Sequence, residues 1–226
     1  MDKLTQVKIQ KTLLGRPTTD IQVVVITPII SAFNKLNNKF KIFETHNDGF
    51  FQNSCFQTEN GLAGMLISIP QGIGAQDVMY AFSNVDVIFY GYAGSLLKGV
   101  EIGSIVEVKT AIDPDRTHFP LKVTGAYRNV ICGYSPCLLG HTASHHCEKA
   151  RLVGCQVVDM ETVYCAYAAI QNMNRFTAHL IVSDIPGSIN FWELNENTKA
   201  YFNQNCTIAI DNIVLYLNNK EKKEYE

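Results

Sequence analysis

The chain has 226 residues, 46% of them hydrophobic and 18% charged, enough apolar material for one full-sized domain or two very small ones. Nineteen Lys and Arg stand against twenty-one Asp and Glu, a formal charge of -2. That balance gives no electrostatic footprint for DNA or RNA and excludes nucleic-acid binding as the main task. The charged fraction is below the roughly 25% of an average soluble domain, which favours surface covered by a second copy, so a homodimer is expected.

Residues 1–20 read as a mixed polar N-terminal extension, with one strand at Val7-Lys8-Ile9-Gln10 and a stop at Gly15-Arg16-Pro17. The opening Met1-Asp2-Lys3-Leu4-Thr5-Gln6 lacks the apolar core and small-residue cleavage site of a secretory signal. The longest apolar run, 21–30, is interrupted by Gln22, Thr27 and Pro28 and is too short to cross a bilayer as a helix. A cytoplasmic protein with no membrane association is expected. Strands are expected near 21–28, 39–45, 49–57, 63–69, 85–91, 104–112, 121–132, 155–160 and 177–183. The clearest helical patterns cover 74–84, 142–153, 161–173 and 196–217. This alternation implies an α/β fold with helices covering a sheet, as a single domain over 21–217 followed by a charged tail, 218–226. Seven cysteines, an odd number, read as buried thiols of a reducing compartment.

The runs 85–91 and 177–183 are nearly continuously apolar and should be central strands buried on both faces. In open α/β sheets ligands gather at the carboxyl ends of such strands. Three features fall there: a turn rich in small residues, Gly91-Tyr92-Ala93-Gly94-Ser95-Leu96; Glu161 in Val158-Asp159-Met160-Glu161-Thr162; and Asp184 in Ser183-Asp184-Ile185-Pro186-Gly187. A carboxylate at a helix start complements the positive helix end, and an Asp after a strand is a common turn former. Two acids at one sheet edge beside a Gly-rich turn can instead divide acid and base roles.

With Gly72-Ile73-Gly74, the Gly91–Leu96 turn, Val100-Glu101-Ile102-Gly103-Ser104-Ile105-Val106, the Met160-Glu161 pair and the Ser183-Asp184 pair in this order, the chain resembles the nucleoside phosphorylase/nucleosidase superfamily. The likeness lies on its methylthioadenosine/S-adenosylhomocysteine nucleosidase and AMP nucleosidase side and covers roughly residues 20–216. The resemblance implies a three-layer α/β/α sandwich around a mixed, partly barrel-like central sheet, with no cofactor. It implies cleavage of the N-glycosidic bond of a purine nucleoside or relative. By the same likeness Glu161 binds the ribose hydroxyls, Met160 packs on the sugar, Asp184 protonates the leaving base and Ser183 orients it. Ala93 and Gly94 bound the pocket, Phe191 closes it, and Tyr134 is the nearest aromatic in the loop that stacks the purine.

The departures are specific. The family's hydrolases carry a water-activating glutamate after the first strand, where this chain reads Ile26-Thr27-Pro28-Ile29-Ile30-Ser31-Ala32-Phe33 without an acid. Its phosphorylases hold phosphate with a Gly-rich turn there and an Arg near the later Gly motif, where this chain has Pro28 and Phe89. Hydrolysis is therefore expected ahead of phosphorolysis, with an altered-chemistry or non-catalytic nucleoside binder as the alternative. A separate cluster, Cys132, Cys137, His141, His145, His146 and Cys147, offers metal-ligand chemistry, but its spacing departs from usual zinc patterns and no metal is expected. His118 and Phe119 lie where family members contribute across a dimer interface, or in a surface loop.

Overall fold

The computed structural model describes residues 2–18, 20–72, 74–136 and 140–220, with 140–143 described by backbone alone. The chain opens on helix α1 (Lys3–Leu14), followed by strand β1 (Val23–Thr27), α2 (Ile30–Lys39), β2 (Lys41–His46), β3 (Asn53–Gln57) and β4 (Ala63–Ser68). Then come α3 (Ala75–Tyr80), β5 (Asp86–Ser95), β6 (Ile105–Ile112), β7 (His118–Pro120) and β8 (Arg128–Tyr134). The chain finishes with α4 (Gly140–Leu152), β9 (Val157–Asp159), α5 (Thr162–Gln171), β10 (Arg175–Asp184), a short 3-10 turn (Phe191–Glu193) and α6 (Glu196–Asn218).

The central sheet is mixed and partly closed. Strands β5, β10, β6, β8 and β9 pair in a ring, and β5 also carries the open extension β1-β4-β3-β2. β5 can serve both because of its length. Its first half pairs with β1, from Asp86 to Phe89, while Gly94 and Ser95 pair with Val158 and Val157 of β9. β10 runs parallel along the other edge of β5. Helices α2 and α6 pack together, and α3 packs between α1 and α5. The connection from β1 runs outward to β2 and that from β4 runs back past β1 to β5, and crossovers of the usual right hand in these opposite directions carry their helices, α2 and α3, to opposite faces of a sheet. This is the α/β/α layering around a barrel-like sheet that the sequence resemblance implies.

The two central runs behave as their composition requires. Every residue of β1 is buried, as are Val87 to Tyr90 in β5 and Phe176 to Val182 in β10. They form one continuous core with Phe33, Leu36, Phe202 and Ile210 from the helices above them.

Three segments differ from expectation. Residues 7–10 are helical. α1 is capped by Asp2, whose carboxylate accepts from Thr5 N at 2.9 Å, and ends on Gly15 at φ 80°; it buries Gln10 and Leu14, four residues apart, so helical spacing outweighs the Val7/Ile9 alternation. The stretch 121–132 is divided: β7 ends at Pro120, and the loop to β8 turns inward so that Thr124 and Gly125 donate backbone N–H groups to the fully buried carboxylate of Glu107. Finally, β5 does not turn at Gly91 but continues through Ser95, because β9 supplies a partner across the barrel. Past the end of α6, Lys220 meets the buried carboxylate of Asp86, and residues 221–226 lie outside the described residues.

Candidate functional site at the carboxyl ends of β5 and β10

Both central strands deliver their last residues to one cavity of about 290 Å³. Its walls include Ala93 and Gly94 of β5, Met160 and Glu161 from the β9–α5 junction, Ser183 and Asp184 of β10, and Phe191 of the following turn. The structure therefore brings together seven of the eight expected site residues. Tyr134 is the exception. It lines a different cavity, with Arg116, His146 and Lys149, and packs edge-on against Tyr164 of α5 at 4.8 Å and His146 of α4 at 6.1 Å between ring centroids.

A register irregularity places Asp184. The pairing of β10 with β5 runs from Val182↔Ala93 to Asp184↔Gly94, so Ser183 is bulged out of the ladder. Such a bulge re-aims the side chains beside it. The Ser183 hydroxyl then donates to Asp184 Oδ1 at 2.6 Å, and also lies 3.4 Å from the carbonyl of Ala93. Burial holds the Asp184 carboxyl above its usual range, partly offset by the Ser183 bond. Gly94 is glycine for want of space: a methyl there would lie 2.6 Å from Pro186 Cγ and 3.1 Å from Asp184 Oδ2.

Glu161 stands at the start of α5 without capping it. Asp159 does the capping, accepting from Thr162 N at 3.1 Å and from the Thr162 hydroxyl, and meeting the Cys132 thiol at 3.5 Å. Helix capping thus occupies Asp159, although it also lines the cavity. Glu161 Oε1 instead accepts the backbone N–H of Gly72 at 2.6 Å, a residue at φ 94°. The small residues between β4 and α3 thus reach the site through a backbone donor. Burial pushes both carboxyls upward, and the charge of Asp159 raises Glu161 further, against the Gly72 bond.

The sequence motifs leave four lining residues unassigned: Gln71, Asn190 and Trp192, and Tyr92, which stands inside the Gly91–Leu96 turn. Trp192 and Asn190 flank Phe191, so adjacency to that residue was the available signal. Pro28 and Ile29, the acid-free stretch after β1, form part of the wall. Among the described residues lining the cavity, the titratable groups are Asp159, Glu161, Asp184 and Tyr92, with no Lys, Arg or His. Cavity-facing groups can accept from hydroxyls and donate a proton, but offer an anion no counter-charge.

Among the remaining sequence candidates, Cys137 and the side chain of His141 lie outside the described residues. Cys147 is buried, and the rings of His145 and His146 stand 6.0 Å apart at 81°. Among the described residues no three His, Cys, Asp or Glu side chains converge as metal ligands. His118 is exposed, whereas Phe119 is buried edge-on against Tyr167. No helix among the described residues is long and apolar enough to cross a membrane.

By sequence, no family model and no curated protein matches the chain. By shape it is similar to a futalosine hydrolase from Helicobacter pylori strain 26695, with a TM-score of 0.72 and 10% identity over 88% of this chain and 99% of that one. It is also similar to the 5'-methylthioadenosine/S-adenosylhomocysteine nucleosidase of Campylobacter jejuni, with a TM-score of 0.74 and 10% identity over 88% of this chain and all 100% of that one. The S-adenosylhomocysteine nucleosidase of Streptococcus pyogenes aligns at a TM-score of 0.68 and 11% identity, over 90% and 99% of the two chains. The chain shares the fold of these two nucleosidases and of the futalosine hydrolase.

Proposed function

We propose that the cavity binds a purine nucleoside or a close relative and hydrolyses its N-glycosidic bond. The observation carrying this reading is the meeting of Glu161 and Asp184, from different elements, in one cavity of about 290 Å³. Breaking the bond between C1′ and the base leaves positive charge on the ribose, while the bonding electron pair goes to the base. Asp184, whose pKa burial raises, donates in its protonated form to N7 of the departing purine. Glu161 accepts hydrogen bonds from the 2′- and 3′-hydroxyls, and in its ionised form stabilises the cationic sugar. Met160 supports the sugar face, and Phe191 restricts entry of bulk water. One water then adds to C1′ and loses its proton to solvent, from which Asp184 is reprotonated, giving free base and free sugar.

Hydrolysis is favoured over phosphorolysis by the absence of Lys, Arg and His from the described cavity lining. A second reading, a nucleoside binder with altered or no chemistry, is favoured by Pro28 and Ile29 forming the wall where the family's hydrolases place an acid. An oxocarbenium ion needs little activation of its nucleophile, so the acid and the sugar clamp can suffice. Chromatography of adenosine, methylthioadenosine, S-adenosylhomocysteine, inosine and AMP, incubated with and without phosphate, tests these readings. Free base in both buffers is the expected result. Release only with phosphate would establish phosphorolysis, and a raised melting temperature without cleavage would favour the binder.

A further inference from the structure

We infer that Trp192 is the aromatic surface against which the heterocycle of the bound nucleoside lies, an inference that rests on the nucleoside reading above and deepens it. Among the described residues, three aromatic side chains line the cavity: Tyr92, Phe191 and Trp192. Two are committed to packing. Tyr92 lies 5.2 Å from Phe202 and 6.0 Å from Phe191, and Phe191 lies 5.2 Å from Phe202, all between ring centroids. Trp192 makes no ring contact among the described residues and is 57% exposed at the cavity edge. Tyr134, the aromatic that sequence offered for this task, belongs to the other cavity. The stacking position is thus left to the indole.

The backbone beneath Trp192 is pinned. Asn190 and Glu193 close a reciprocal capping box around it, with Asn190 N and Nδ2 donating to Glu193 Oε2 at 3.1 and 2.9 Å. Ile185 and Ile189 bridge the start of the same loop, Ile185 N donating to the Ile189 carbonyl at 2.8 Å. The indole is therefore carried on a short, internally bonded loop directly after Asp184. The chemistry matches: a purine that gains a proton at N7 becomes electron-poor, and the negative face of an indole attracts such a ring more strongly than a neutral one.

Trp192 is the single tryptophan of the chain, so its emission reports its own surroundings. The full-length protein is titrated with adenosine, adenine and D-ribose, with fluorescence excited at the red edge where adenine is transparent and calorimetry run in parallel. Saturable quenching by adenosine and adenine is expected, at the concentrations at which heat is released, with no response to ribose. Trp192→Ala should weaken adenine binding about tenfold or more, and Trp192→Phe should restore most of it. Calorimetric binding of adenosine without a change in emission, or Ala and Phe variants that bind equally well, would overturn the stacking role and leave the nucleoside reading intact. Absence of heat with adenosine, methylthioadenosine, S-adenosylhomocysteine and inosine alike would overturn both.

Discussion

Asp184 can give up a proton only while it still holds one, and Ser183 works against that. The hydroxyl donating to Oδ1 stabilises the carboxylate, whereas burial favours the acid. Ser183→Ala removes the bond that lowers the pKa, so the limb of kcat/KM that Asp184 sets should move to higher pH. An unmoved limb would show that another group supplies the proton. Asp184→Asn keeps the shape and loses the proton. It should lower kcat at least about 100-fold while nucleoside binding, measured by calorimetry, changes little; equal losses in both would contradict the acid role. Glu161, pushed up to about 8 by burial and the charge of Asp159, sets the other limb, because its sugar clamp strengthens when it ionises. The pH profile should therefore be bell-shaped. Gly94 is constrained by contact and not by its backbone angles. Gly94→Ala would drive a methyl into Pro186 and the Asp184 carboxyl, costing about 1–3 kcal/mol of stability and displacing the acid, so urea midpoint and kcat should fall together.

At the level of elements, α1 is held by a side chain that substitutes for missing backbone partners. Gln10 Nε2 donates to the carbonyl of Ala81 at 2.7 Å, and its Oε1 accepts Thr18 N at 3.0 Å. Gln10→Ala leaves both groups short of a partner in a site that is 5% exposed and should cost about 2 kcal/mol. A lower urea midpoint at unchanged slope is the expected readout; an unchanged midpoint would mean that the two Gln10 bonds add nothing to the fold. The same helix illustrates what sequence conceals. Val7 and Ile9 alternate as strand residues do, and helical spacing emerges only once Gln10 and Leu14 have a surface to meet. β5 and β10 were legible because burial on both faces leaves an unbroken apolar signature. The continuation of β5 through Gly91–Ser95 was not, since small residues suggest a turn until β9 pairs with them from more than 60 residues away. For the candidate site, the short motifs located the two acids and their neighbours. Tyr134 failed because its packing onto Tyr164 and His146 depends on where α4 and α5 lie. Trp192 escaped because an aromatic in a loop carries no periodic signal.

Across the whole molecule, three carboxyls share one cavity with no cation among its described lining residues, and the fold bears the cost. Asp159, Glu161 and Asp184 all titrate above their usual range when folded. The sign follows from proton counts: between the unfolded and folded pKa values the native state binds more protons than the unfolded chain, so stability falls as pH rises through that interval. Their penalty is absent at pH values below the ordinary carboxylate range and grows toward and beyond neutrality. Glu161→Gln tests this with nearly the same shape, because an amide oxygen can still accept the Gly72 N–H. At pH 8 the variant should be more stable than the parent by about 1–3 kcal/mol, since it removes a buried charge and its repulsion with Asp159. At pH 4.5, where Glu161 is protonated in the native state, the two proteins should unfold at closely similar urea concentrations. The stabilised variant should also lose its grip on the ribose, so the gain in stability at alkaline pH accompanies a loss of cleavage, as expected where a site holds charge that its surroundings do not favour. A midpoint difference that is the same at both pH values would show that Glu161 carries no ionisation penalty in the folded protein.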